Sequence, residues 1–226
     1  MLDSLPKSNS EEFYSVKNLN LYAKSDCKEL ATQMAKGRQL KIISPSIVDN
    51  AIKICLCEDH YPAWLSIEDL SFLKPASKPY SSTFISQEKI ASLIPKIIEF
   101  TYLAMNTPNY YLWGGTVAPN YDCSGLIQSA FTSVGIWLPR DSYQQENFAT
   151  KITINELRSG DLIFFGTKRV THVALYLGND RYIHSSGKEI GNNGIGINLI
   201  RGDLDIVSQN YYKQFWSCGR ITQSLP

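Results

Sequence analysis

Residues 74–83 read KPASKPYSST, and this break constrains the fold more than any other stretch of the 226-residue chain. Proline has a fixed φ and no N–H, so two prolines here disfavour helix and interrupt strand pairing. Ser77, Ser81, Ser82 and Thr83 add a polar, linker-like character. The segments on either side differ in pattern, and the length suits one large domain or two small ones. The expected division is a first domain over residues 1–75, a linker over 76–85 and a second domain over 86–226.

The first segment carries short apolar runs at Leu19–Tyr22, Leu40–Ile43, Ala51–Leu56 and Ala63–Ile67. In AIKICLC the apolar Ile52, Ile54 and Leu56 alternate with Lys53 and Cys55, the period of a half-buried strand. Turn residues separate the runs. Short strands at this density predict a small antiparallel barrel.

The second segment opens with helical spacing. Ser86 is placed to cap a helix, with Glu88 in its first turn. Ile90, Leu93, Ile94, Ile97, Ile98 and Leu103 follow. Pro95 is expected at the first position of a helix that starts there, with a separate helical turn before it. Leu126, Ile127, Ala130, Phe131 and Val134 form another helical face, with Gly135 as its left-handed terminator. Strand patterns then run through 161–165, 172–177, 181–185, 195–200 and 217–222. Helices first and strands after predict α+β with a mainly antiparallel sheet.

The apolar fraction of 43% allows a sizeable core. Net charge is +1, from 22 basic and 21 acidic residues with no block of one sign, so nothing marks a nucleic-acid surface. MLDSLPKSNSEEFYSV lacks the apolar stretch of an export signal, and no run approaches a membrane span. A cytoplasmic monomer is expected. Five cysteines, an odd number, argue against a disulfide framework and leave thiols available for chemistry.

YLWGGTVAPNYDCSGLIQSAF, residues 111–131, places Cys123 where a helix begins. A helix N-terminus carries partial positive charge and N–H groups without helical partners. It is expected to lower the thiol pKa and to offer donors to an oxyanion. A base must come from three histidines: His60, His172 and His184. The last two lie in neighbouring strand patterns, HVALYLG and RYIHSS, joined by a hairpin signal. Register decides whether they cooperate. A two-residue loop at Asn179 and Asp180 pairs Leu177 with Tyr182 and sends the two rings to opposite faces. A three-residue loop from Gly178 to Asp180, or an equivalent bulge, places His184 opposite Ala174 and puts both rings on one face. Then His172 takes the thiol proton and His184 orients His172.

YDCSGL, LPRDSYQQ, GDLIFF, THVALYLG and YIHSSG resemble the motifs of NlpC-type cell-wall cysteine peptidases over residues 88–226. The first segment is similar to the bacterial SH3-like domain that precedes such catalytic domains. The combination most resembles cyanobacterial γ-D-glutamyl-L-diamino acid endopeptidases. The resemblance implies a papain-like α+β catalytic domain behind a small all-β SH3-like barrel. It implies Cys123, His172 and His184 as catalytic residues, with no cofactor. It implies a murein tripeptide or tetrapeptide substrate with a free N-terminal L-alanine, cut after γ-D-glutamate during recycling. Asp122 and Tyr61 match positions that hold the substrate amine, with a second acid from Asp26, Glu29, Glu58 or Asp59. Arg140 offers a fork to the α-carboxylate, Ser124 and Ser142 offer hydroxyls, and Trp113 a wall. The competing readings are a zinc centre of Cys27, Cys55, Cys57 and His60, a catalytically silent wall-binding protein, and an acyltransferase or amidase on the same scaffold.

Overall fold

A computed structural model describes residues 11–201 and 205–226. The first ten residues, within the stretch read for an export signal, lie outside the described residues. The chain divides into two compact units, one running to Thr83 and including Trp113–Val117, the other Phe84–Leu112 with Ala118–Leu225.

The first unit contains β1 (Glu12–Ser15), β2 (Leu19–Tyr22), β3 (Leu30–Met34), β4 (Gln39–Val48), β5 (Ala51–Leu56), β6 (Pro62–Ser66) and β7 (Leu73–Pro75). They form one sheet in the order β3-β2-β6-β5-β4-β1-β7, and every pairing is antiparallel. Alternation works as expected in β5: Ile52, Ile54 and Leu56 are fully buried while Lys53 is exposed. These side chains join Leu21, Met34, Leu40 and Leu65 in one core. The short strand β8 (Thr116–Val117) belongs to this unit, where Thr116 Oγ1 donates to the Gln33 carbonyl at 2.9 Å. β1, β3 and β7 were not expected; each is five residues or fewer and shows little periodicity.

The second unit begins with α1 (Gln87–Asn106), capped by the Ser86 hydroxyl on the Lys89 N–H. Here the structure corrects the reading of Pro95: the helix is continuous through it. Ile90, Ile97 and Thr101 are buried on one stripe spanning the proline. Pro95 and Ala91 both face solvent, so the Ala91 carbonyl that loses its donor is open to water. Burial of the stripe outweighs a local cost of about 3 kcal/mol.

β9 (Asn120–Tyr121) leads into α2 (Cys123–Thr132). Gly135 ends this helix at φ +84°, with its N–H on the Thr132 carbonyl and the Ile136 N–H on that of Phe131. Then follow α3 (Ser142–Phe148), β10 (Thr150–Ile152), β11 (Leu162–Gly166), β12 (Val170–Gly178), β13 (Arg181–Ser186), β14 (Gly194–Leu199), α4 (Ile206–Tyr212) and β15 (Phe215–Arg220). Six strands form an antiparallel sheet in the order β10-β15-β11-β12-β13-β14. One face packs Leu162, Phe164, Val173, Leu175 and Ile183 against Ile127, Ala130 and Phe131 of α2. The other gathers Ile163, Phe165, Ala174, Tyr182 and Tyr211 of α4. β11 is buried at all five positions because both faces are covered. The α+β architecture expected from the element order is therefore the observed one.

Replacing Pro95 with Ala restores an N–H for the Ala91 carbonyl in an exposed turn. Pro95→Ala is expected to raise stability by at least about 1 kcal/mol, read from the midpoint of urea unfolding.

Candidate active site

Asp122 sits just before α2 with extended backbone, and its Oδ1 accepts from the Gly125 N–H at 2.7 Å. The same carboxylate holds Arg140: Nη2 lies 2.6 Å from Oδ2, and Nη1 lies 3.2 Å from Oδ1 and 2.9 Å from the Ser124 hydroxyl. Arg140 is 2% exposed and Asp122 6% exposed. Arg140, expected to fork a ligand carboxylate, and Asp122, expected to meet a ligand amine, are thus paired with each other. The two charges answer each other, and Ser124 joins them. A guanidinium this deeply buried requires a counter-ion, and a helix cap next to it is the nearest one. Gln145 of α3 completes the clamp, donating to the Ser124 and Pro139 carbonyls at 3.1 and 2.9 Å.

Cys123 is the first residue of α2, and its Sγ lies 4.0 Å from the Thr171 carbonyl oxygen on β12. The Val173 and Ser124 N–H groups point at the sulfur. Thr171 and Val173 flank His172, so the sulfur rests against the backbone that carries the first imidazole. Burial pushes the Cys123 thiol up to about 12, and the Asp122 carboxylate adds to this, against the N–H donors and Arg140. The expectation of a thiolate held ready at neutral pH is therefore corrected. Dehydration and a neighbouring anion exceed what the helix start supplies, and together they favour the thiol over the thiolate.

The hairpin resolves the register question. Leu175 pairs with Ile183 and Tyr176 with Tyr182, then the register shifts and Gly178 pairs with Arg181. Asn179 and Asp180 have φ of 51° and 61°, a two-residue turn of the mirror-image type. A bulge after Tyr176 thus does what a three-residue loop would do, and both rings face one side. His172 Nε2 lies 2.7 Å from His184 Nδ1, with the rings nearly perpendicular at 86°. Tyr211 of α4 covers both, its ring 4.4 Å from that of His172 and 4.8 Å from that of His184. His184 Nε2 lies 2.9 Å from Asn198 Oδ1 on β14. Burial holds both imidazoles below their ordinary range, His172 well below and His184 at about 4; the neighbouring ring lowers His172 further. These shifts favour the uncharged forms, a thiol and neutral imidazoles, from which general-base catalysis starts. Ser185 fixes the approach to Cys123, donating to the Tyr121 carbonyl at 2.6 Å.

Ser142 is buried at the start of α3. Tyr61 packs against the core of the first unit, and Trp113, 64% exposed, belongs to that unit too. Of the four acids considered, Glu58 and Asp59 both hold Arg38, at 3.2 and 2.9 Å, while Asp26 and Glu29 are exposed. Among the described residues no three His, Cys, Asp or Glu side chains gather as a metal site, Cys27, Cys55, Cys57 and His60 included. Sequence reasoning missed Asn198, Asn192, Asp205 and Tyr211. Only Asp205 left a trace, as an acid ahead of a short helical stretch.

Residues 108–220, half of the chain, match the NlpC/P60 family. The chain belongs to the NlpC/P60 family. Residues 21–70 match the bacterial dipeptidyl-peptidase SH3 domain, so the unit before the NlpC/P60 domain is SH3-like. A γ-D-glutamyl-L-lysine dipeptidyl-peptidase of Bacillus cereus is 28% identical over 75% of this chain and 47% of its own length. The bifunctional muramidase/DL-endopeptidase CwlT of Bacillus subtilis is 42% identical over 35% of this chain and 26% of its own. The chain thus spans less than half the length of either relative. A solved NlpC/P60 protein from Bacillus cereus aligns with 97% of this chain and 66% of its own at a TM-score of 0.49 and 22% identity.

The buried charges of this NlpC/P60 domain make two results expected. Asp122→Ala and Arg140→Ala should each destabilise the protein by about 3–5 kcal/mol, and the double variant by less than their sum, in a urea-unfolding cycle. A pair kept only for ligand contact would leave the midpoint unmoved. The histidines set the acid side. Unfolded, both rings bind protons near pH 6.5; folded, they do so only at lower pH. Between those values the unfolded chain holds more protons, so stability falls as pH falls. The slope reaches about 1.4 kcal/mol per pH unit for each ring. Unfolding midpoints measured from pH 7 down to pH 4 check this.

Proposed function

We propose that this chain is a cysteine peptidase acting on peptidoglycan-derived peptides, cutting the amide between γ-D-glutamate and a diamino acid. The observation that carries the reading is the pair of buried imidazoles on one hairpin, with the Cys123 sulfur lying against the same strand. As the sulfur attacks the substrate carbonyl carbon, His172 takes the thiol proton. His184 accepts from His172 Nε2 and stabilises the imidazolium that forms. N–H groups at the start of α2 donate to the oxyanion of the tetrahedral intermediate. His172 then returns its proton to the amine of the departing diamino acid, leaving a thioester. A water molecule, deprotonated by His172, releases the γ-D-glutamyl carboxylate and restores the thiol.

The finer substrate is read from relatives. Dipeptidyl-peptidase appears both in the description of the SH3-like domain and in the names of relatives from two Bacillus species. A dipeptide-releasing enzyme needs a free N-terminal L-alanine. That amine exists only after the peptide is cut from its glycan, so the reaction belongs to turnover of released fragments.

The test is mass spectrometry of L-Ala-γ-D-Glu-meso-diaminopimelate and of its L-lysine analogue, each with a free and an acetylated N-terminus. Release of L-Ala-γ-D-Glu from the free peptides alone is expected. Equal cutting of acetylated peptide would remove the free-amine requirement, and no cutting of any would remove the peptidase reading. Cys123→Ala should abolish turnover with an unchanged circular dichroism spectrum.

A further inference from the structure

The hydrogen bonds continue past His184. Asn198 Oδ1 lies 2.9 Å from His184 Nε2, and Asn198 Nδ2 donates to Asp205 Oδ1 at 3.0 Å. Asp205 also accepts from the Ser208 N–H at 2.8 Å and from the Ser208 hydroxyl. Burial opposes ionisation of Asp205, but the Ser208, Val207 and Asn198 donors outweigh it and hold the carboxyl below its ordinary range. Asn192 Nδ2 donates to Asn198 Oδ1 at 2.8 Å.

The two ends of an amide are nearly alike in shape, so its orientation follows from what surrounds it. An ionised carboxylate only accepts. Asn198 must therefore turn its NH₂ toward Asp205, which leaves its oxygen toward His184. The reverse orientation would set oxygen against carboxylate and NH₂ against the NH₂ of Asn192. Asn192 Nδ2, a donor, also lies 3.3 Å from His184 Nε2, but its N–H goes to Asn198 Oδ1 at 2.8 Å, and the shorter contact of the ring nitrogen is the 2.9 Å to that same oxygen, which only accepts, so His184 carries its proton on Nε2. A neutral imidazole has one N–H, so Nδ1 of His184 is bare. At 2.7 Å it must accept from His172 Nε2. His172 then carries its proton on Nε2 as well, and its Nδ1 holds the lone pair.

We infer that Asp205 and Asn198 are positioning residues: the carboxylate orients the amide, the amide sets the tautomer of His184, and His184 sets that of His172, making Nδ1 of His172 the base. The inference rests on the reading of His172 as the base. Local geometry serves the arrangement. Gly196 lies directly opposite His184, and a Cβ there would come within 2.3 Å of Asn192 Nδ2. Asn198 is the diagonal neighbour of His184 on the same face. Gly196 keeps the space through which both amides reach the ring.

Imidazole ¹⁵N chemical shifts report tautomers directly, without any turnover, and the full chain has only three histidines to assign. In the wild type at pH 7 both His172 and His184 are expected as Nε2–H. Asn198→Ala should give a mixture of tautomers at both rings, with kcat lower by at least about tenfold and KM within about twofold. Asp205→Asn keeps a good helix cap, because Asn caps as well as Asp. It removes only the bias on the amide, so it should also mix the tautomers while leaving the unfolding midpoint nearly unmoved. An Nδ1–H signal at either wild-type ring would overturn the inference. So would full retention of Nε2–H at both rings in Asn198→Ala. Wild-type spectra as expected in a protein that cuts no peptide would keep the tautomer assignment and remove the peptidase reading instead.

Discussion

Two imidazoles in contact on a dry sheet face set the terms for the second unit. Burial there favours the neutral form of each ring at rest. Neutral imidazoles have one donor and one acceptor, so two in contact must agree on direction. The surroundings bear on that agreement: Tyr211 covers the rings, Asn198 Oδ1 meets His184 Nε2, and Asp205 holds the Asn198 NH₂. The bulge after Tyr176 puts the rings on one face, and the covering of both sheet faces keeps that face dry.

The nucleophile follows a similar logic by another route. Cys123 stands at the start of α2, and the clamp around that start is electrostatically closed. Asp122 caps the helix and neutralises Arg140; Ser124 and Gln145 tie the same turn to the following loop. The result is a rigid, nearly neutral socket for a thiol. Burial there disfavours a standing thiolate, which is why the proposed mechanism has the proton leave as the sulfur attacks. A helix start contributes N–H donors more than charge when a carboxylate sits beside it.

Much of this fold was legible in the letters. Strands with strong alternation, such as β5, and uniformly apolar strands, such as β11, coincide closely with their patterns, as does the Gly135 terminator of α2. The misses share a cause. β1, β3 and β7 are too short for a period to show, and they exist because a neighbouring strand pairs with them. Pro95 looked like a helix start, since local propensity cannot register an apolar stripe buried on both sides of it. In the site, Cys123, His172 and His184 stood out by residue type and order. Asn198 and Asn192 did not, because an asparagine in or beside a strand has no signature until its neighbours are known.

The sequence by itself determined the helix-then-strands order that makes the second unit α+β, and it singled out three side chains as candidates for thiol chemistry. These depend on local periods, on turn residues and on the scarcity of histidine, all of which are written along the chain. Only the tertiary structure decided that a bulge replaces a longer loop, that Arg140 closes on Asp122, and that burial raises the thiol's pKa. It alone placed an asparagine and an aspartate behind the histidines. Each of those outcomes depends on burial and on which charges and dipoles lie within a few ångströms, and such neighbours are set by folding rather than by adjacency in sequence.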